Sequence, residues 1–253
     1  MQIMKRTDVT EMVVMAKIKK GLTWTKIAKA VGQSKEWTTA ALLGQMQMTK
    51  AQASAAGKLL GLPADAVVYA CFNRPEKITP AVFDCWLEIL RQVPNSVLWI
   101  INDQPLVEQR LRARLATAGL EWRRLVFSPK LESAAFGQCC GLADLLLDTS
   151  PYGSGATAVT ALAAGLPLLT CPGQTFASRM GASLCAATGL EELICPTPEA
   201  YRDRAIALGR QPAVLQLLRH KLLAGRAELP LFNTSAWVEH LEQLLEQLLK
   251  AGG

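Results

Sequence analysis

The stretch Asp148 to Pro167, DTSPYGSGATAVTALAAGLP, leaves an apolar run (Leu142 to Leu147), turns through small residues and re-enters a pattern of Ala, Val and Leu. A short buried strand, a Gly/Ser/Thr loop and an Ala-rich helix leave backbone N–H groups without acceptors at the helix start, where they can face an anion. The chemistry this points to is phosphate binding. A tight strand-to-helix turn in any α/β domain uses the same residue types, so the loop by itself leaves both readings open.

The elements around the loop decide where it would sit. From Val67 onward, VVYACF, SVLWII, RLVFS, LADLLLD, PLLTC and ELIC are strand candidates. PAVFDCWLEILRQV, PLVEQRLRARLATAG, GATAVTALAAG, FASRMGASLCAATG and PEAYRDRAIALGRQ are helix candidates between them. Strands alternating with helices predict a parallel sheet covered on both faces. Ligands of such sheets bind beyond the carboxyl ends of the strands, which is where this loop falls.

With 253 residues, half of them apolar, the chain can bury a substantial core. No apolar stretch approaches a membrane span, and the start, MQIMKRTDVTEM, lacks the apolar centre of a signal peptide, so the expected location is cytoplasmic. The seven cysteines show no C-x-x-C spacing and read as free, mostly buried thiols. His220 and His240 stand in separate helix-like segments, so no metal site is expected and no cofactor is called for. The net charge of +6 comes entirely from residues 1–66, which carry ten Lys/Arg against four Asp/Glu, while residues 67–253 carry seventeen of each. The reading is two domains, 1–66 and 67–253, joined near a linker at Pro63.

Residues 1–66 read as a string of short helices. Asp8 with Glu11 forms a capping-box pattern for a helix ending at Gly21; Thr23, Ser34 and Thr49 can cap three more, which stop at Gly32, Gly44 and Gly61. The segment LTWTKIAKAVGQSKEWTTAALLG has helix-turn-helix spacing in a basic setting, which makes DNA a candidate partner. Trp37, Ala40, Ala41 and Leu42 crowd the would-be recognition helix with apolar surface, which favours an association module and a homo-oligomer through residues 8–62. Residues 6–67 resemble the N-terminal helical domain of cyanases, most closely at KGLTW, IA, AALLGQ and LLGLP. In that family the repressor-like domain serves oligomer assembly. The catalytic Arg, Glu and Ser lie in a C-terminal domain that nothing after Val67 resembles, so the resemblance implies no cyanase activity.

From Tyr69 to Leu249 the ordered stretches FNRPEKITP, WLEILRQVPNSVLW, VFSP, LADLLLDTSPYGSGAT, AGLPLLTCPGQTFASRMGASL, GLEELI and PLFNT resemble the C-terminal half of the catalytic region of protein O-GlcNAc transferases. The resemblance implies an α/β fold, a Rossmann-like parallel sheet forming one half of a GT-B glycosyltransferase, here preceded by a small all-α domain. It implies a nucleotide sugar as ligand, UDP-GlcNAc or a relative, with a protein as acceptor; the lack of a long apolar run separately implies no membrane partner. Lys77 matches the lysine that neutralises the diphosphate. Ser154, Gly155, Ala156 and Thr157 match the stretch whose N–H groups and hydroxyl meet the phosphates at the helix start.

Other matched positions depart from the family pattern. Arg74 stands where glutamine is common, Phe136 where a histidine lies near the uracil, Cys139 at an arginine position that helps bind the base, and Thr160 where an acidic residue holds the ribose hydroxyls. The half of a GT-B enzyme that supplies much of the acceptor surface has no counterpart in these residues, and positioning an acceptor needs that second wall. The leading expectation is a donor-binding half joined to a cyanase-type module. The alternatives are a cyanase-related protein without its catalytic domain, a DNA-binding regulator acting through Ser34 to Ala41, and an inactive chimera.

Overall fold

In the computed structural model, which describes residues 6–60, 66–130 and 133–251, the chain divides into two units, Met1–Ala66 and Val67–Gly253. The first holds α1 (Arg6–Lys19), α2 (Trp24–Val31), α3 (Lys35–Leu42) and α4 (Lys50–Leu60). Thr23 and Ser34 cap α2 and α3 by accepting from the amides of Lys26 and Trp37, and Gly32 closes α2 at a φ of 73° that a side chain would resist. Thr49 and Gln52 exchange side-chain and backbone bonds at the start of α4. The capping-box reading at Asp8 does not hold as a helix start, because α1 already runs from Arg6. The helix stop at Gly61 and the linker at Pro63 lie outside the described residues.

Val13, Leu22, Ile27, Val31, Ala56 and Leu60 form the core of this unit, with Trp24, Trp37 and Leu42 half-buried against it. Trp37 and Leu42 thus serve their own unit in part rather than forming a free association face. The strongly exposed apolar side chains are instead on α1, where Met15 and Ile18 are 64% and 63% exposed.

The second unit runs β1 (Val67–Cys71), α5 (Pro80–Gln92), β2 (Ser96–Ile101), α6 (Pro105–Thr117), β3 (Leu125–Ser128), α7 (Ser133–Cys140), β4 (Leu145–Leu147), α8 (Ala156–Ala163), β5 (Leu168–Leu169), α9 (Phe176–Ala186), α10 (Pro198–Arg210), α11 (Pro212–Ala224) and α12 (Thr234–Ala251). The strands form one parallel sheet in the order β3-β2-β1-β4-β5, as expected for a doubly wound half. The sixth expected strand, ELIC, is reduced to a turn at Glu191–Leu193 and a single bridge from Ile194 to Thr170. The strands are buried on both faces: Tyr69, Ala70 and Cys71 in β1 and Leu145, Leu146 and Leu147 in β4 are at most 1% exposed.

The helices follow their own start signals. Thr79 caps α5 by accepting from Val82 N, Pro80 opens it, and Phe83, Trp86, Leu87, Ile89 and Leu90 recur on one buried face. Ala158, Ala161 and Leu162 of α8 are buried, so a largely alanine face lets this helix lie close against its neighbours. All seven cysteines are free. Among the described residues no helix is long and apolar enough to cross a membrane.

At the end of β4 the chain buries a carboxylate, with Asp148 only 4% exposed. Asp148 Oδ1 accepts from the amide of Thr149 at 2.9 Å and from the amide and hydroxyl of Ser154, each at 2.7 Å. Its Oδ2 accepts from Thr170 Oγ1 at 2.8 Å. Asn73, just after β1, completes the group by donating to Thr149 Oγ1 at 2.8 Å and Ser154 Oγ at 2.7 Å. Burial pushes the Asp148 pKa up, and the bonds from Ser154, Thr170 and Thr149 pull it back.

A Cβ at position 181 would stand 2.3 Å from Asp148 Oδ2, so glycine there is what allows α9 to pack over the carboxylate. Replacing Asp148 by Ala leaves the buried amides of Thr149 and Ser154 without acceptors, at about 1–3 kcal/mol each. Asp148→Asn keeps one acceptor oxygen and loses less. Urea unfolding of the two variants checks this ranking; equal losses would show that the oxygen geometry does not carry the stabilisation.

Candidate functional site

The loops that leave the carboxyl ends of β1, β2, β3 and β4 enclose a cleft of about 1180 Å³. Lys77, Gly155, Ala156 and Thr157 line it together, and Arg74 joins them. Two segments about 80 positions apart in sequence therefore face one space. The turn Pro75–Lys77, opened by Pro75, carries Lys77 into the cleft, and its Nζ donates to the carbonyl of Gly153 at 2.9 Å. The same ammonium lies 3.9 Å from the centroid of the Tyr152 ring. Burial lowers the Lys77 pKa, while the Asp148 carboxylate raises it and Arg74 adds to the lowering.

Opposite Lys77, α8 begins at Ala156 with Gly155 as its flanking residue, and the first bonds within the helix are donated by Ala158 and Val159 to Gly155. The amides of Ala156 and Thr157 precede that first intrahelical donor and are directed outward from the helix start. A lysine ammonium and a helix N-terminus converging on one cleft supply positive potential from a full charge and from partial charges. The cleft lining carries acidic groups as well. Glu76 accepts from Gln104 Nε2 at 2.9 Å, Asp103 accepts from the Lys130 amide at 2.9 Å, and the Lys130 side chain is exposed.

The other residues read from the sequence occupy different places. Ser154 does not line the cleft: its hydroxyl is buried, donating to Asp148 and accepting from Asn73, so it acts on the shape of the loop. Phe136 packs against the main core and meets Phe72 edge-on at 5.5 Å between centroids; it is Phe72 that lines the cleft. Thr160 lies one turn into α8, outside the cleft lining, and donates to Ala156 O at 3.2 Å. Cys139 is half-buried on α7, and burial raises its thiol pKa.

Asn73, Tyr152, Phe176 and Lys130 are the residues that sequence reasoning missed. Asn73 had a signal, a polar residue immediately after a fully apolar strand. Phe176 lines the cleft while 77% exposed. Beyond Thr79 and Pro151, which border both spaces, a smaller cavity of about 280 Å³ is lined by Val82, Cys85, Cys171 and Tyr201. Burial pushes the Cys85 pKa up to about 11, so this thiol is protonated at neutral pH.

Known proteins share this architecture. A variant of the O-GlcNAc transferase of Thermobaculum terrenum superposes with a TM-score of 0.64 at 32% identity, covering 70% of this chain and 35% of that one. The Caenorhabditis elegans UDP-N-acetylglucosamine–peptide N-acetylglucosaminyltransferase is 35% identical over 192 residues, or 75% of this chain and 16% of its own length. An Arabidopsis thaliana protein, described as the probable enzyme of the same kind, SEC, is 36% identical over 184 residues, 72% of this chain and 19% of its length. The chain thus spans less than a fifth of the length of these curated relatives. The family model described as Glycosyl transferase family 41 matches residues 1–241. With that match over most of its length, the parallel sheet and a cleft at the strand ends, the chain belongs to glycosyl transferase family 41.

Proposed function

We propose that residues 67–253 bind the nucleotide-sugar donor of a glycosyl transfer, UDP-GlcNAc or a close relative, with its diphosphate between Lys77 and the start of α8. The observation that carries this reading is the convergence of Lys77, Gly155, Ala156 and Thr157 on one cleft. In the transfer, the bond between the anomeric carbon and the diphosphate oxygen breaks while a bond to an acceptor hydroxyl forms. The negative charge that grows on the leaving diphosphate falls where the Lys77 ammonium and the α8 amides are already in place. The hydroxyl proton passes to a base on the second wall of the site, together with the surface that orients a protein acceptor.

Phe136 and Thr160 fit a relaxed hold on the nucleoside in this reading, since their side chains meet Phe72 and Ala156 respectively. Arg74, exposed at the cleft, adds charge beside Lys77.

Calorimetric titration with UDP, UDP-GlcNAc and GDP tests the proposal, with inorganic phosphate as control. Lys77→Ala weakens UDP binding by about 1.5–3 kcal/mol, the range for a hydrogen bond to a charged group. Thr157→Val loses less, because the backbone donors stay. Absence of UDP binding at millimolar concentration, or equal affinity in Lys77→Ala, would falsify this reading.

For residues 1–66 we propose a cyanase-type assembly role, favoured by the exposed Met15 and Ile18 of α1. Light scattering of the whole chain is expected to give a multimer and of residues 67–253 a monomer. Monomeric masses for both would remove the assembly role.

A further inference from the structure

We propose that Tyr152 is a positioning residue that holds the Lys77 ammonium in line with the start of α8; this rests on the donor-binding reading above. Nζ of Lys77 lies 3.9 Å from the ring centroid of Tyr152 and 2.9 Å from the carbonyl oxygen of Gly153. An ammonium has three N–H donors. The Gly153 carbonyl takes one, the ring face attracts the charge without consuming a lone pair, and donors remain for a ligand oxygen. A lysine stem otherwise carries large rotamer freedom, which a ligand would have to remove on binding. Ring and carbonyl together restrict that freedom before any ligand arrives.

The two groups belong to consecutive residues of a loop with little freedom of its own. Thr149 Oγ1 donates to Tyr152 O at 2.7 Å, and the Gly153 amide donates to Ala177 O at 3.0 Å. Asp148 fixes the loop on either side of them through Thr149 and Ser154. The Tyr152 ring is itself 56% exposed and stands over the cleft, so burial in the core does not explain its place. Its contact with Lys77 does.

The charged groups that act on Lys77 are the Asp148 carboxylate, which favours the ammonium, and Arg74, which opposes it together with burial, while the buried Cys71 thiol, its pKa pushed up to about 12, stays neutral. Removing the ring takes away one favourable group and leaves the others in place. Lys77 in Tyr152→Leu therefore has a lower pKa than in the parent, and its ammonium adopts more orientations. Tyr152→Phe keeps the ring and restores both.

NMR titration of the Lys77 side chain in the full chain without nucleotide reads this directly, with thermal unfolding to verify that the exposed substitutions leave the fold intact. In parallel, Tyr152→Leu is expected to weaken UDP binding about threefold, with Tyr152→Phe close to the parent. An unchanged Lys77 titration in Tyr152→Leu, or a Tyr152→Phe protein that behaves like Tyr152→Leu, overturns the assignment. Failure of the parent to bind UDP counts against the donor-binding reading instead, and the Lys77 titration still decides whether Tyr152 holds the ammonium.

Discussion

A single buried carboxylate sets the form of the site. Asp148 follows β4 in a buried position shielded from water, where a bond is stronger than in water and an unmatched charge is far more costly. Four donors from Thr149, Ser154 and Thr170 answer it, and Asn73 ties two of those residues back to β1. The loop that follows takes a shape in which all of these groups are satisfied. That shape directs Gly155 and the first turn of α8 toward the cleft and sets the Gly153 carbonyl opposite Lys77.

The residues around the cleft thus divide by exposure. Asn73, Asp148, Thr149, Ser154 and Thr170 are buried and face one another. Lys77, Tyr152, Gly155, Ala156 and Thr157 are reachable from the cleft. The first set explains why the second is held steady, and the distinction matters for reading substitutions. A change in the buried set alters the loop and reaches the cleft only through it. A change in the second set alters the cleft surface itself.

The alternation of apolar strands with helices made the parallel sheet legible, because strands buried on both faces lack polar interruptions. Thr23, Ser34 and Thr49 marked helix starts because capping is local chemistry. The three-residue β4 and the two-residue β5 are much shorter than the apolar runs that announced them, since pairing is decided by neighbouring strands and not by the run. Lys77 and the Gly155 to Thr157 turn were legible together through ordered motifs. The burial of Ser154 was not: a serine in a glycine-rich loop reads equally as a ligand donor or as a loop bond until the position of Asp148 is known. Tyr152 was hidden for a similar reason, because its meeting with Lys77 joins two separate loops.

The bonds that shape this loop also carry information about order in time. Asn73 reaches Ser154 across 81 positions and Lys77 reaches Gly153 across 76. Neither can form until β1 and β4 lie side by side, and bringing such distant segments together is an entropic step that local helix formation does little to ease. A chain emerging from the ribosome with β1, β2 and β3 complete has three of the five strands and none of the loop that follows β4. The cleft is consequently a mark of β4 having joined β1. Any ligand that occupies it acts as a selective stabiliser of finished molecules over partial ones, drawing the population toward the state in which β4 has joined β1.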